Sequence, residues 1–190
     1  MNIKSLDIIH EEHRALGAML SGLRTLAREI EAGRLQPDFD LLASMIEYIE
    51  KVPEKVHHPK ENDYLFARLR LRCAEALPLI EHLEGEHRLG EARIDVLRSA
   101  LASYRQRGAA GFPVFYEAAK TYIDFEWAHM NTEEYRIFPL AKAHLTADDW
   151  AEIDAAFLAN GSPWEGAAGE YAALFSKIVN IAPAPVGLGG

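Results

Sequence analysis

Apolar residues at the start of the chain recur at steps of three and four. In "SLDIIHEEHRALGAMLSGLRTLAREIEAG" the stripe is Leu6, Ile9, His13, Leu16, Leu20, Leu23, Ala27 and Ile30, the period of an amphipathic helix, and Gly33 offers a stop. A second helical region follows Pro37 through "DFDLLASMIEYIEKV" and resumes in "KENDYLFARLRLRC". Pro53 and Pro59 fall between; each removes a backbone donor and crowds the preceding turn, so a kink or break is expected there. A third runs through "LIEHLEGEHRLGEARIDVLRSALASY" with Leu79, Leu83, His87, Gly90, Ile94, Leu97 and Leu101 on one stripe. The fourth opens around Pro113 and continues through "YIDFEWAHMNTEEYRIFPLAKAHL", with Tyr122, Phe125, His129, Glu133 and Leu140 inward. No strand alternation competes. Four helices of about 25 to 30 residues joined by short breaks predict an all-α fold, an antiparallel up-down four-helix bundle over residues 1–145.

Short additional helices are expected in a C-terminal extension, residues 146–181. "TADDWAEIDAAF" reads as a capped helix with Thr146 as N-cap and Asp149 closing a capping-box-like pair. "GEYAALFSKIVNI" reads as a further amphipathic helix, covering the bundle or contacting a second copy in a homodimer. The ending "APAPVGLGG", residues 182–190, has neither pattern nor bulk and is expected to be mobile.

The histidines carry a local repeat. Glu54, His57 and Glu61 in "EKVHHPKE", Glu84, His87 and Glu91 in "EGEHRLGE", and Glu126, His129 and Glu133 in "EWAHMNTE" all have the form E-x-x-H-x-x-x-E. At about 100° per residue both glutamates fall within about 60° of the histidine, on one side of a helix. Glutamate fills roughly one position in ten, so both offsets should be met by chance about once in a hundred histidines. Three of the eight meet them. Solvated face charges explain any single instance. They do not explain why His13, His57, His87 and His129, one per helix, each lie on or beside the apolar stripe, where uncompensated polar groups are costly. A shared metal does, since imidazole and carboxylate donors together suit iron, manganese or zinc. The number of donors points to two ions, with Glu61 and Glu133 as bridges that offset their repulsion.

Composition narrows the partners. A formal net charge of −9 with no basic cluster argues against nucleic acid, and no span approaches the length of a membrane helix. A single cysteine, Cys73, excludes an internal disulfide and suits a reducing compartment. The amino-terminal stretch has no secretory pattern, so a cytoplasmic address is expected.

The segments "EEHRAL", "HHPKENDYLF", "EHRLGE" and "HMNTEEYRIFPLA" together resemble the hemerythrin-like family, the HHE cation-binding domains, over about residues 5–145. The resemblance implies a bundle holding a non-haem di-iron site, with His13, His57, Glu61, His87, His129 and Glu133 as ligands. One departure stands out. Oxygen-carrying members pair two histidines four apart in the third helix, whereas here His87 is followed by Glu91, which becomes a candidate seventh ligand. Such a site is more anionic and favours oxidised iron, which tells against reversible oxygen transport.

His58, before Pro59, reads as an outer or surface group. His10 sits at the edge of its stripe, and His82 and His144 face solvent. Glu54, Glu84 and Glu126 are candidates to accept the second ring proton of neighbouring histidines. Gly90, one turn from His87, leaves room for a small ligand. The expected function is metal binding, with dioxygen, peroxide or nitric oxide bound or reacted in sensing, scavenging or iron handling. The alternatives are a di-iron oxidase or peroxidase of ferritin-like chemistry and a metal-free interaction bundle.

Overall fold

The computed structural model describes residues 3–52, 57–159 and 167–189. These residues are almost wholly helical; among them there is no strand, only an isolated bridge between Pro183 and Gly189.

Helix α1, Lys4–Glu31, buries the predicted stripe from Leu6 to Ala27. It stops where Gly33 takes a φ of 69°, the left-handed conformation that ends helices and that glycine adopts without a Cβ penalty. Asp38 opens α2, Phe39–Val52, by accepting hydrogen bonds from the Asp40 and Leu41 amides at 3.0 and 2.9 Å. The chain resumes as α3, His58–Lys60, followed by a π-helical stretch, Glu61–Phe66, and α4, Ala67–Arg72. His57 before α3 is already helical, and the helical path continues through Pro59, the second residue of α3. Pro53 lies outside the described residues.

Helix α5, Leu77–Arg107, is unbroken until Gly108. Helix α6, Phe112–Thr132, passes into a second π-helical stretch, Glu133–Ile137, and then α7, Phe138–His144. The helices form a closed circuit of neighbours, α1 against α2 and α6, and α5 against α2 and α6.

Helix α8, Ala147–Ala159, starts at the expected box: the Asp149 amide donates to Thr146 Oγ1 at 3.2 Å, and the Thr146 amide donates to Asp149 Oδ2 at 2.9 Å. It packs on α1 and on the π-helical stretch after Glu61, while α9, Ala167–Ile181, lies on α2. The final segment has hydrogen bonds its composition does not announce. The Leu188 amide donates to the Val179 carbonyl at 2.8 Å and the Gly189 amide to the Ala182 carbonyl at 2.9 Å, folding residues 182–189 back on α9.

Two apolar clusters divide the interior. One gathers Leu16, Leu20, Met45, Ile49, Ile94 and Phe115; the other gathers Ile9, Leu65, Phe66, Leu83, Ile137 and Phe157. Each of the four long helical paths crosses from one cluster to the other, and each carries its stripe histidine at the crossing: His13 between Ile9 and Leu16, His57 between Ile49 and Leu65, His87 between Leu83 and Ile94, His129 between Ile123 and Ile137. A buried polar layer therefore separates the clusters.

Candidate metal centre

All four stripe histidines are buried, as are Glu61 and Glu133, which are wholly inaccessible. Each imidazole is clamped from behind through Nδ1. His13 meets Glu134 at 2.8 Å, His57 meets Glu12 at 2.7 Å, His87 meets Asn62 Oδ1 at 2.9 Å and His129 meets Glu86 at 2.9 Å. Carboxylate and amide oxygens only accept, so in each case Nδ1–H is the donor. That fixes the tautomer and leaves the Nε2 lone pair pointing inward.

The consequence is a concentration of unshared electron pairs. His13 Nε2 faces His57 Nε2 at 3.1 Å, and His87 Nε2 faces His129 Nε2 at 3.0 Å. Two neutral imidazoles with Nδ1 protonated cannot hydrogen-bond through these atoms. The carboxylates add to the conflict. Glu133 lies 3.2 Å from His13 Nε2 through Oε2 and 3.2 Å from His129 Nε2 through Oε1, and Glu61 Oε2 lies 3.3 Å from His57 Nε2. None of the four carboxylate oxygens of Glu61 and Glu133 has a hydrogen-bond partner, although all are buried. Buried acceptors left in this way are rare and costly.

A cation resolves the conflict, and the spacing suits one. Bonds of about 2.0 to 2.2 Å meeting at about 90 to 110° place neighbouring donors about 2.8 to 3.6 Å apart, the range of the five separations above; His87 Nε2 stands slightly further from the carboxylates, 3.7 Å from Glu133 and 3.8 Å from Glu61. Among the described residues three groups bring such atoms within 4.8 Å of one another: His13, His57, Glu61 and Glu133; Glu61, His87, His129 and Glu133; and His58, His87 and His129. The first two share both glutamates.

Protons answer the same demand for positive charge. Burial would push the His13 ring down, but the adjacent carboxylates of Glu133 and Glu134 outweigh it and raise the ring to about 9. His129 is likewise raised well above its ordinary value, its burial outweighed by Glu133 and Glu86. Burial, with the charge of Glu133 beside it, raises Glu61 well above the carboxylate range.

The structure corrects the expected ligand set in two places. Glu91 is exposed and joins none of the groups. The buried line of α5 steps three residues from His87 to Gly90 and then four to Ile94, so Gly90 takes the inward position and Glu91 is turned to solvent. His58, expected at the margin, is 5 % exposed, and its ring stacks on His87 with centroids 3.9 Å apart. Together the three groups contain five imidazoles and two carboxylates, where the sequence offered four imidazoles and three carboxylates as candidates. His10 stays half-buried against Glu134 at 3.3 Å, and the His82 side chain is 63 % exposed.

The expected outer carboxylates are also reassigned. Glu84 pairs with Arg70 at 2.7 Å, Glu126 is buried, which pushes its carboxyl above the ordinary value, and Glu54 lies outside the described residues. The residues that clamp the rings are Glu12, Asn62, Glu86 and Glu134. Each directly precedes or follows a member of the centre and reaches across to a ring on a neighbouring helical path. The doublets Glu12–His13, Glu61–Asn62, Glu86–His87 and Glu133–Glu134 were the sequence signal for them.

The two halves repeat one another. His57, Glu61, Leu65 and Phe66 have the order and spacing of His129, Glu133, Ile137 and Phe138, and a π-helical stretch begins at each glutamate. The family model of the Hemerythrin HHE cation binding domain matches residues 4–141, a span holding every residue of this centre. The chain belongs to the hemerythrin HHE family. No curated protein and no solved structure matches it. For an HHE domain, a cation-binding centre is the expected use of this layer, and α8 and α9 lie beyond the matched residues.

Proposed function

We propose that this protein is a di-iron hemerythrin-like protein, an antiparallel four-helix bundle whose centre binds or reacts with a small ligand, dioxygen, peroxide or nitric oxide, in sensing, scavenging or iron handling. The observation that carries the reading is the pair of four-donor groups sharing Glu61 and Glu133. Iron held there supplies one-electron redox chemistry and coordination positions open to a small ligand. His13 and His57 would hold one ion, His87, His129 and His58 the other, and Glu61 and Glu133 would bridge them. Glu12, Asn62, Glu86 and Glu134 keep the rings in the tautomer that donates through Nε2.

The halves differ where His58 follows His57 and Met130 follows His129. His58 adds its donor to the His87 and His129 side, leaving the His13 and His57 side with fewer protein ligands. Toward that side opens a cavity of about 380 Å³ lined by His13, Gly17, Trp127, Met130 and Glu134. A Cβ on Gly17 would stand 2.9 Å from Trp127 Cη2, so glycine is what lets the indole lie against α1 at the cavity. This favours ligand entry beside His13. A metal-free interaction bundle leaves the four buried carboxylate oxygens without purpose.

The test is anaerobic loading with ferrous iron, iron counted per chain, and visible spectra before and after air. Two irons per chain and a new charge-transfer absorption on oxidation are expected. One zinc per chain with no response to air would overturn the reading.

A further inference from the structure

Lys60 is 2 % exposed, and lysine is seldom buried so completely. Its ammonium donates to Glu12 Oε1 at 3.0 Å, and the other oxygen of Glu12 accepts from His57 Nδ1 at 2.7 Å. The same ammonium lies 5.5 Å from the centroid of Phe157, a wholly buried ring on α8. A helix beyond the matched family region therefore seals a positive charge behind one ring of the centre. The matching position of the other half carries no charge: Thr132 stands there and donates to the Ala128 carbonyl at 2.8 Å. Glu86, the counterpart of Glu12, has the largely exposed His82 ring at 3.4 Å and feels the charge of Arg93, whose guanidinium lies over the Phe125 ring at 3.8 Å, but among the described residues no lysine or arginine donates to it as Lys60 donates to Glu12.

We propose that Lys60 is a positioning residue that sets the electronic inequality of the two metal ions, its fixed charge behind Glu12 making the His13 and His57 half the more electron-poor. The inference rests on the two-ion reading above. Two effects act in the same direction. A nearby positive charge disfavours the ferric ion relative to the ferrous one. The bond from Lys60 also draws charge from Glu12, so Glu12 is a weaker acceptor for His57 Nδ1–H and His57 a weaker donor to its ion. Because α8 keeps water out, the charge is poorly screened.

The experiment loads the full chain anaerobically with ferrous iron and follows an optical redox titration of wild type, Lys60→Gln and Lys60→Arg. Glutamine keeps a donor near Glu12 without the charge. It should take up the same two irons while one of the two one-electron couples moves toward the ferric state by about tenfold in the ferric-to-ferrous ratio, about 59 mV lower. Arginine should restore the wild-type value. Two irons in Lys60→Gln with both potentials unchanged would overturn the role of Lys60 and leave the two-ion reading standing; a wild-type chain that takes up no iron would overturn both. Should Lys60→Gln fail to fold, Phe157→Leu leaves every polar group in place and admits water to the ammonium. It should move the same couple in the same direction by less, and no movement there overturns the proposal.

Discussion

At the centre, single atoms decide what each residue does. His58 and His87 are stacked rings whose donor atoms converge with that of His129, so removing His58 takes a donor from one group and leaves the group of His13, His57, Glu61 and Glu133 intact; in the proposed two-ion centre only one ion would lose a ligand. Loss of a group that merely orients a ligand lowers metal affinity by about 10 to 100-fold, and loss of a ligand should do at least as much. His58→Ala is therefore expected to take up one iron tightly and the second at least about tenfold more weakly, as read by a chelator-competition titration. Equal affinities for both irons, unchanged from wild type, would return His58 to a packing role. The four stripe histidines and both glutamates were legible in the sequence because the helical period places them with the apolar residues. His58 was not, because it directly precedes Pro59, and helix-face stepping is read no further than a proline. Glu91 misled for the complementary reason: four residues is the right step along a path that widens, and the wrong one along α5, which does not.

That widening is a property of elements. His57, Glu61, Leu65 and Leu69 are buried at successive steps of four, and so are His129, Glu133, Ile137 and Ala141. On a regular α-helix each such step drifts by about 40°, and three would carry the last residue far round the helix. The π-helical stretches at Glu61–Phe66 and Glu133–Ile137 take up the drift and keep glutamate and apolar residues on one line. The unbroken steps of four were present in the sequence; reading them as an α-helix concealed their meaning. The junction of α7 and α8 permits a prediction at the same scale. Asp149 closes the capping box of α8, accepting from the Thr146 amide at 2.9 Å and from Arg72 Nε at 2.9 Å, and these bonds, with Arg72 foremost, hold its carboxyl well below the ordinary carboxylate value. A depressed folded-state pKa contributes stability that is present above the unfolded value and lost as pH falls through the folded one. Arg72 is half exposed, so solvent screens the pair and the contribution is about 1 kcal/mol. Asp149→Asn keeps a capping side chain without the charge. At neutral pH it should be less stable than wild type by about that amount in urea unfolding, and the gap should narrow from about pH 4 downward, as the unfolded chain's carboxyl takes up its proton before the folded one's. A gap of the same size at neutral pH and at about pH 2 would show that the charge does not contribute.

Across the whole molecule, the polar layer is where the two apolar clusters meet and where all four long helical paths are joined. Four inward Nε2 lone pairs and four unpartnered carboxylate oxygens lie in that layer, so its contribution to stability depends on the cation. Unfolding disperses the donors along the chain, and a metal that binds the folded state alone stabilises it by mass action. With free metal about one hundred times each dissociation constant, each ion contributes about 2.7 kcal/mol, hence about 5 kcal/mol for two. For a chain of this size about 1 kcal/mol moves the melting temperature by about 2 to 4 °C. Removing the metal with a strong chelator should therefore lower the melting temperature by about 10 to 20 °C, measured by scanning calorimetry at constant pH. The position of the layer makes a second demand on the same experiment. Because Glu133 belongs to both four-donor groups, Glu133→Gln should lose most of the chelator response, whereas His58→Ala, which touches neither of them, should keep more of it. A wild-type melting temperature indifferent to the chelator, with metal shown to have left, would mean that the apolar clusters alone hold the helices together and that the layer's convergence contributes nothing to the fold.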